Sequence, residues 1–116
     1  MYKFRELKVW QRAMNFVTDI YRDSASFPNT ERLGLTSQMR RAAISIPLNV
    51  AEDAGANSGG EFQRFLSYAL RPTYEVMSTL EIAQRLGYST PKKTQGLLKQ
   101  ADEIAAMFVG LSRNLV

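Results

Sequence analysis

In TPKKTQGLLKQADEIAAMFVGLSRNLV, residues 90–116, the apolar residues Leu97, Ala101, Ile104, Phe108, Leu111 and Leu115 follow one another in alternating steps of four and three. Such steps keep one side of an α-helix apolar, because successive side chains turn by about 100°. Thr90 and Pro91 stand where a helix takes its N-cap and first residue. The hydroxyl accepts a free N–H, and the N–H that proline lacks is not needed there. A seam this long has to be buried against other helices.

Upstream, Gly87 stops a third helix on which Phe62, Phe65, Leu66, Ala69, Val76, Met77, Leu80 and Ala83 share one face. Ser58 and Glu61 have capping-box spacing at its start. The short connection makes these two helices antiparallel neighbours. A second helix is predicted from Thr36 or Ser37, either able to cap it, through Met39, Ala42, Ala43, Ile46 and Val50 to the breaker-rich AGANSGG. A first covers residues 6–24, with Trp10, Met14, Val17 and Tyr21 as its inner line, and a single helical turn is expected at residues 29–32. No strand alternation, repeat or linker is present. The expected fold is all-α, a single antiparallel up-and-down four-helix bundle domain over residues 1–116. Pro47 and Pro72 fall inside the second and third helices, where each removes a hydrogen bond to the carbonyl four residues back, so kinks are expected at both.

The remaining composition excludes more than it assigns. The chain has no Cys and no His, so disulfides, thiol nucleophiles, imidazole metal ligands and Ser-His triads are absent. Glu52-Asp53 and Asp102-Glu103 do not share helix faces, and the glycines of AGANSGGEF lack the Lys-Ser/Thr of a phosphate-cradling loop. Ser45 has no base at an identifiable spacing. The reading is non-enzymatic, with no metal and no cofactor. The charged start MYKFRELKVW is no signal peptide, and the uncharged run over residues 42–51 is too short to span a membrane. No membrane association and a cytoplasmic location are expected.

Net charge is +4, distributed as +4 over residues 1–41, −2 over 42–90 and +2 over 91–116. Lys3, Arg5, Lys8 and Arg12 line the start of the first helix, and Arg40 and Arg41 lie near the start of the second. If they converge, they form a surface for RNA or DNA phosphates, salt-sensitive and with little sequence preference. Lys92, Lys93 and Lys99 form a second basic cluster.

Two helices carry more apolar residues than one core face needs. Ile44, Leu48 and Ala51 lie about 120–180° from the inner stripe of the second helix, and Val9, Phe16 and Ile20 about 80–120° from the Trp10–Tyr21 line of the first. These six are expected to meet another copy of the chain, since contiguous exposed apolar area marks interfaces. Arg41, Ser45, Asn49 and Glu52, with Glu75 of the third helix opposite, form a polar ridge read as structural.

The phrases QMRRAAISIPLNVAE (residues 38–52), EFQRFLSYAL, FRELKVWQRAMNFVTDIY and FPNTERLGLTSQ, with Glu75, resemble the bacterial four-helix bundle proteins encoded in intervening sequences of 23S ribosomal RNA genes. The resemblance covers nearly the whole chain. It implies an antiparallel bundle assembling as a ring-shaped homopentamer. Through a related branch, the accessory variability proteins of retroelements, it also implies nucleic-acid binding beside a reverse transcriptase or a ribosomal component. It carries no catalytic residues. The chain departs from the pattern at Arg71-Pro72, where Gly-Ser is common, at Asp53, and at Ala56-Asn57 in an often Arg-rich stretch. Two readings follow: an oligomeric bundle that binds nucleic acid, and a protein-interaction scaffold that binds none. Retardation of nucleic acid at low salt separates them.

Overall fold

The computed structural model describes the backbone of residues 3–53 and 59–114 and the side chains of residues 4–52 and 67–111. Four helices form: α1 (Lys8–Ser24), α2 (Leu35–Asp53), α3 (Gly59–Arg85) and α4 (Pro91–Asn114), with short 3₁₀ turns at Lys3–Glu6 and Asn29–Glu31. No strand occurs among the described residues. Each helix packs against two neighbours, α1 on α2 and α4, α3 on α2 and α4, and among the described residues no Cα atoms of the diagonal pairs come within 8 Å. The result is a square four-helix bundle measuring 44 × 22 × 19 Å. The 27 residues of α3, rising about 1.5 Å each, run most of its length.

Three inner stripes lie where the spacing puts them. Met39, Ala42, Ala43, Ile46 and Val50 of α2 are buried with Ala69, Val76, Leu80 and Ala83 of α3 and Leu97, Ala101, Ile104 and Phe108 of α4. Phe62, Phe65, Leu66 and Leu115, and the expected capping box at Ser58 and Glu61, fall outside the described side chains.

The first helix is turned otherwise. Its core seam is Val9, Ala13, Phe16 and Ile20, all at most 1% exposed, whereas Met14 and Tyr21 are exposed. The sequence reading assigned Val9, Phe16 and Ile20 to an outward face, and the structure corrects that. Both stripes have the same four-three-four rhythm and differ by one residue, about 100° of rotation. Ala13 lets the inner seam approach its neighbours closely. The outer stripe keeps amphipathic rings at the rim, where Trp10 packs edge-on against Phe4 at 5.3 Å and the Tyr21 ring supports a guanidinium.

The end of the bundle that carries the two short connections is held by polar side chains. Gly87, at φ +79°, donates its N–H to Gln84 O, while Tyr88 N–H reaches Ala83 O, closing α3 in a Schellman motif. Lys93 N–H donates to Thr90 Oγ1 at 3.2 Å, the N-cap that opens α4. The start of α2 differs from expectation. Neither Thr36 nor Ser37 caps it, because the helix begins one residue earlier, and Leu35 N–H donates to Glu31 Oε1 at 3.2 Å. A Cβ on Gly34 would sit 2.8 Å from that oxygen, so glycine makes room for the carboxylate. Glu31 Oε2 accepts the Tyr88 hydroxyl at 2.9 Å, and Asp23 accepts the Ser89 hydroxyl at 3.1 Å, tying the two connections together.

Helices α2 and α3 run through Pro47 and Pro72 without a break. Side chains bond back to carbonyls beside each: Ser45 Oγ to Arg41 O, Asn49 Nδ2 to Ser45 O and Thr73 Oγ1 to Ala69 O, all within 2.9 Å.

Two predictions follow from this packing. Phe16→Ala is expected to lower unfolding free energy by about 3–5 kcal/mol in a denaturant titration. A residue on an open face would lose only about 0.5 kcal/mol. The hydrogen bond to Glu31, with desolvation and the carboxylate's charge behind it, raises the Tyr88 phenol above its ordinary value of 10.0. Its stabilisation is therefore complete below pH 10 and lost as pH climbs through the raised value. Thermal melts across the alkaline range should show this decline in the unmodified chain and a shallower one in Tyr88→Phe.

Candidate functional site

The surface is organised by the grooves between adjacent helices, and three of them differ in chemistry. The groove between α1 and α2 is apolar along the part that runs from Phe4 to Val17. Phe4, Trp10, Met14, Val17, Ile44, Pro47, Leu48 and Ala51 line a depression of about 370 Å³. Leu48 is 54% exposed and Met14 43%. Ile44, Leu48 and Ala51 stand here as the α2 spacing places them. Opposite them, Trp10, Met14 and Val17 occupy the positions that the sequence reading gave to Val9, Phe16 and Ile20.

The groove between α1 and α4 carries mixed charge. Arg12 pairs with Glu103 at 2.9 Å, and Arg22 approaches Asp19 at 3.7 Å. Further along, Asp19, Arg22 and Asp23 face Lys92, Lys93, Gly96 and Gln100 across an open depression of about 600 Å³. Both lysines are exposed, as are Lys8 and Lys99.

Between α2 and α3 lies a polar cleft of about 360 Å³, lined by Arg41, Ser45 and Asn49 on one side and Tyr68, Arg71 and Glu75 on the other. Ala42 and Pro72 form apolar parts of its wall. Arg41 and Glu75 also line an adjoining depression with Leu33, Gly34, Ser37 and Gln38. Glu52 is exposed and does not line the cleft. Tyr68 and Arg71 were not singled out for this site, although their steps of three and four toward Glu75 place all three on one side of α3.

Of the six cations read as one surface, the five with described side chains do not come together within the chain. The Lys3 side chain lies outside the described residues. Arg5 and Lys8 sit at the beginning of α1, and Arg12 is engaged by Glu103. Arg40 lies beside the far end of α1: its Nε donates to Ser24 Oγ at 2.8 Å, a terminal nitrogen donates to Tyr21 O at 3.2 Å, and its guanidinium covers the Tyr21 ring at 4.4 Å. From Lys8 to Tyr21 is about 20 Å along the helix. Arg41 turns instead to the α2–α3 cleft. Arg40 is therefore a strut between α1 and α2. Arg40→Ala is expected to lower stability by about 1–3 kcal/mol in denaturant titrations, since it strips a charged donor from buried Ser24. Arg41→Ala should change it by no more than about 0.5 kcal/mol.

Among the described residues no group of three or more His, Cys, Asp or Glu is placed to hold a metal ion, and no helix is long and apolar enough to cross a membrane. A comparison with curated proteins gives no match. The family model described as "23S rRNA-intervening sequence protein" matches residues 5–110, which take in nearly all of α1 through α4. That family is not a known enzyme class. By this match and its four-helix architecture, the chain belongs to the 23S rRNA-intervening sequence protein family.

Proposed function

We propose that the chain is a non-enzymatic, self-assembling bundle that binds RNA or DNA through phosphate contacts with little sequence preference. The observation that carries the assembly half is the α1–α2 groove. Eight apolar residues line it, and more than half of the Leu48 surface remains open to solvent. Area of this kind is stabilised by being covered, at about 25 cal/mol per Å².

The occupant is a second copy, and the expected five-fold ring constrains how it docks. An odd cyclic ring contains no two-fold axis between neighbours, so each contact joins two different surfaces. The chain offers a second exposed apolar set away from the groove, Ile82 and Leu86 near the end of α3. Groove against knob, repeated around an axis, closes a ring. A groove packed on its own copy stops at a dimer.

The cations outside these surfaces supply the nucleic-acid contacts. Lys8, Lys92, Lys93 and Lys99 are exposed along α1 and α4, and Lys92 and Lys93 stand in the first turn of α4, where the helix dipole adds positive potential.

Two experiments test these halves. Leu48→Asp alone, and Ile82→Lys with Leu86→Lys, should each yield monomers by light scattering. Mixed together, they should form one-to-one dimers, because each copy retains the surface the other has lost. A mixture that stays monomeric contradicts the groove-and-knob contact. Gel retardation at about 50 mM salt should show binding that weakens steeply as salt rises. Lys92→Glu with Lys93→Glu should weaken it about tenfold while leaving α4 intact, since acidic residues suit a helix start. Absence of retardation at low salt favours the protein-scaffold reading.

A further inference from the structure

None of the residues lining the polar cleft between α2 and α3 belongs to the α1–α2 groove, to the Ile82–Leu86 set or to the lysine surface. Its two guanidiniums, Arg41 and Arg71, are exposed and have no side-chain partner among the described residues, and the same holds for Glu75. Arginines left unpaired beside a cleft suit a phosphate, which they bind in forked geometry. A carboxylate in the same cleft does not suit a bare phosphate. It calls for a ligand that also brings hydrogen-bond donors.

The other lining groups narrow the choice. Asn49 is half-buried, and its amide is held by the Nδ2 bond to Ser45 O at 2.8 Å. A fixed amide offers a directional contact to a base edge. Tyr68 is 45% exposed at the cleft and adds an aromatic ring. The volume of about 360 Å³ falls at the small end of the range for ligand pockets, about 300–1,000 Å³. It is room for one nucleotide.

We propose that the α2–α3 cleft binds one unpaired nucleotide, its phosphate on Arg41 and Arg71, its base against Tyr68 and its donor groups on Glu75 and Asn49. A duplex keeps its bases stacked inside, so only a single strand, a loop or an end can place one there. This rests on the nucleic-acid reading above and goes further in naming the form of nucleic acid preferred. The lysine surface holds any phosphate backbone; the cleft distinguishes unpaired from paired.

Fluorescence anisotropy with a labelled single-stranded RNA and a duplex of equal length tests it, using the unmodified chain, Arg71→Ala, Tyr68→Ala and Tyr68→Phe. The unmodified chain should bind the single strand about tenfold more tightly than the duplex, the scale of one base–aromatic stack. Arg71→Ala and Tyr68→Ala should erase that preference without weakening duplex binding, and Tyr68→Phe, which keeps the ring, should retain it. A nucleoside monophosphate should compete with the single strand where inorganic phosphate at equal concentration does not. Equal affinity for both forms, or a preference that survives both alanine substitutions, overturns the cleft assignment and leaves general phosphate binding standing. Competition by inorganic phosphate as strong as by the nucleotide also overturns it. Failure to bind either form overturns the nucleic-acid reading itself. Circular dichroism of each variant shows whether the bundle is intact, and Tyr68→Phe supplies the comparison if Tyr68→Ala unfolds.

Discussion

Helix α1 has two apolar stripes one residue apart, and everything else on the surface follows from which of them turns inward. The bundle takes Val9, Ala13, Phe16 and Ile20 and leaves Trp10, Met14 and Val17 facing α2 across an open groove. A helix rotated by about 100° would bury the tryptophan and expose two of the largest apolar side chains now fully enclosed, Phe16 and Ile20. Size favours the observed choice. Ala13 at the centre of the seam admits close packing, and the larger amphipathic rings of Trp10 and Tyr21 remain at the rim, only partly buried.

That rotation is maintained by contacts at the end of the bundle bearing the short connections. Arg40 grips Tyr21 and Ser24, so the end of α1 cannot turn without breaking a cation–ring contact and two hydrogen bonds. Glu31 joins the start of α2 to Tyr88 beyond the end of α3, its carboxylate lying close over Gly34. Residues that look in the sequence like ordinary surface charges therefore do structural work, and fewer of the chain's cations remain for partners than its net charge suggests.

The legibility of the sequence varies from element to element, for physical reasons. The α4 seam, the Thr90 cap and the Gly87 stop were readable because each rests on local geometry: period, a hydroxyl at the N-cap, a positive φ. The α2 and α3 stripes were readable for the same reason. The rotation of α1 was not, since two stripes of equal rhythm differ only in how well their side chains fit neighbours that sequence spacing does not reveal. The cap of α2 comes from Glu31, across a turn whose path depends on tertiary packing. Half of the polar cleft was legible as the ridge Arg41–Ser45–Asn49 with Glu75 opposite. Arg71 entered the reading only as a departure from the family pattern, and the structure places it at that cleft.

The bundle thus presents unlike faces in sequence around its axis: an apolar groove, a polar cleft and a mixed, lysine-bearing side. Of these, the apolar groove makes the strongest demand, because water is its least favourable occupant. The molar mass of the unmodified chain in solution, followed by light scattering over a dilution series, tests that demand most directly. Several times 13.1 kDa, falling toward one chain on dilution or in Leu48→Asp, is the outcome this account predicts. A mass of one chain at every concentration, with Leu48 open to water, contradicts it.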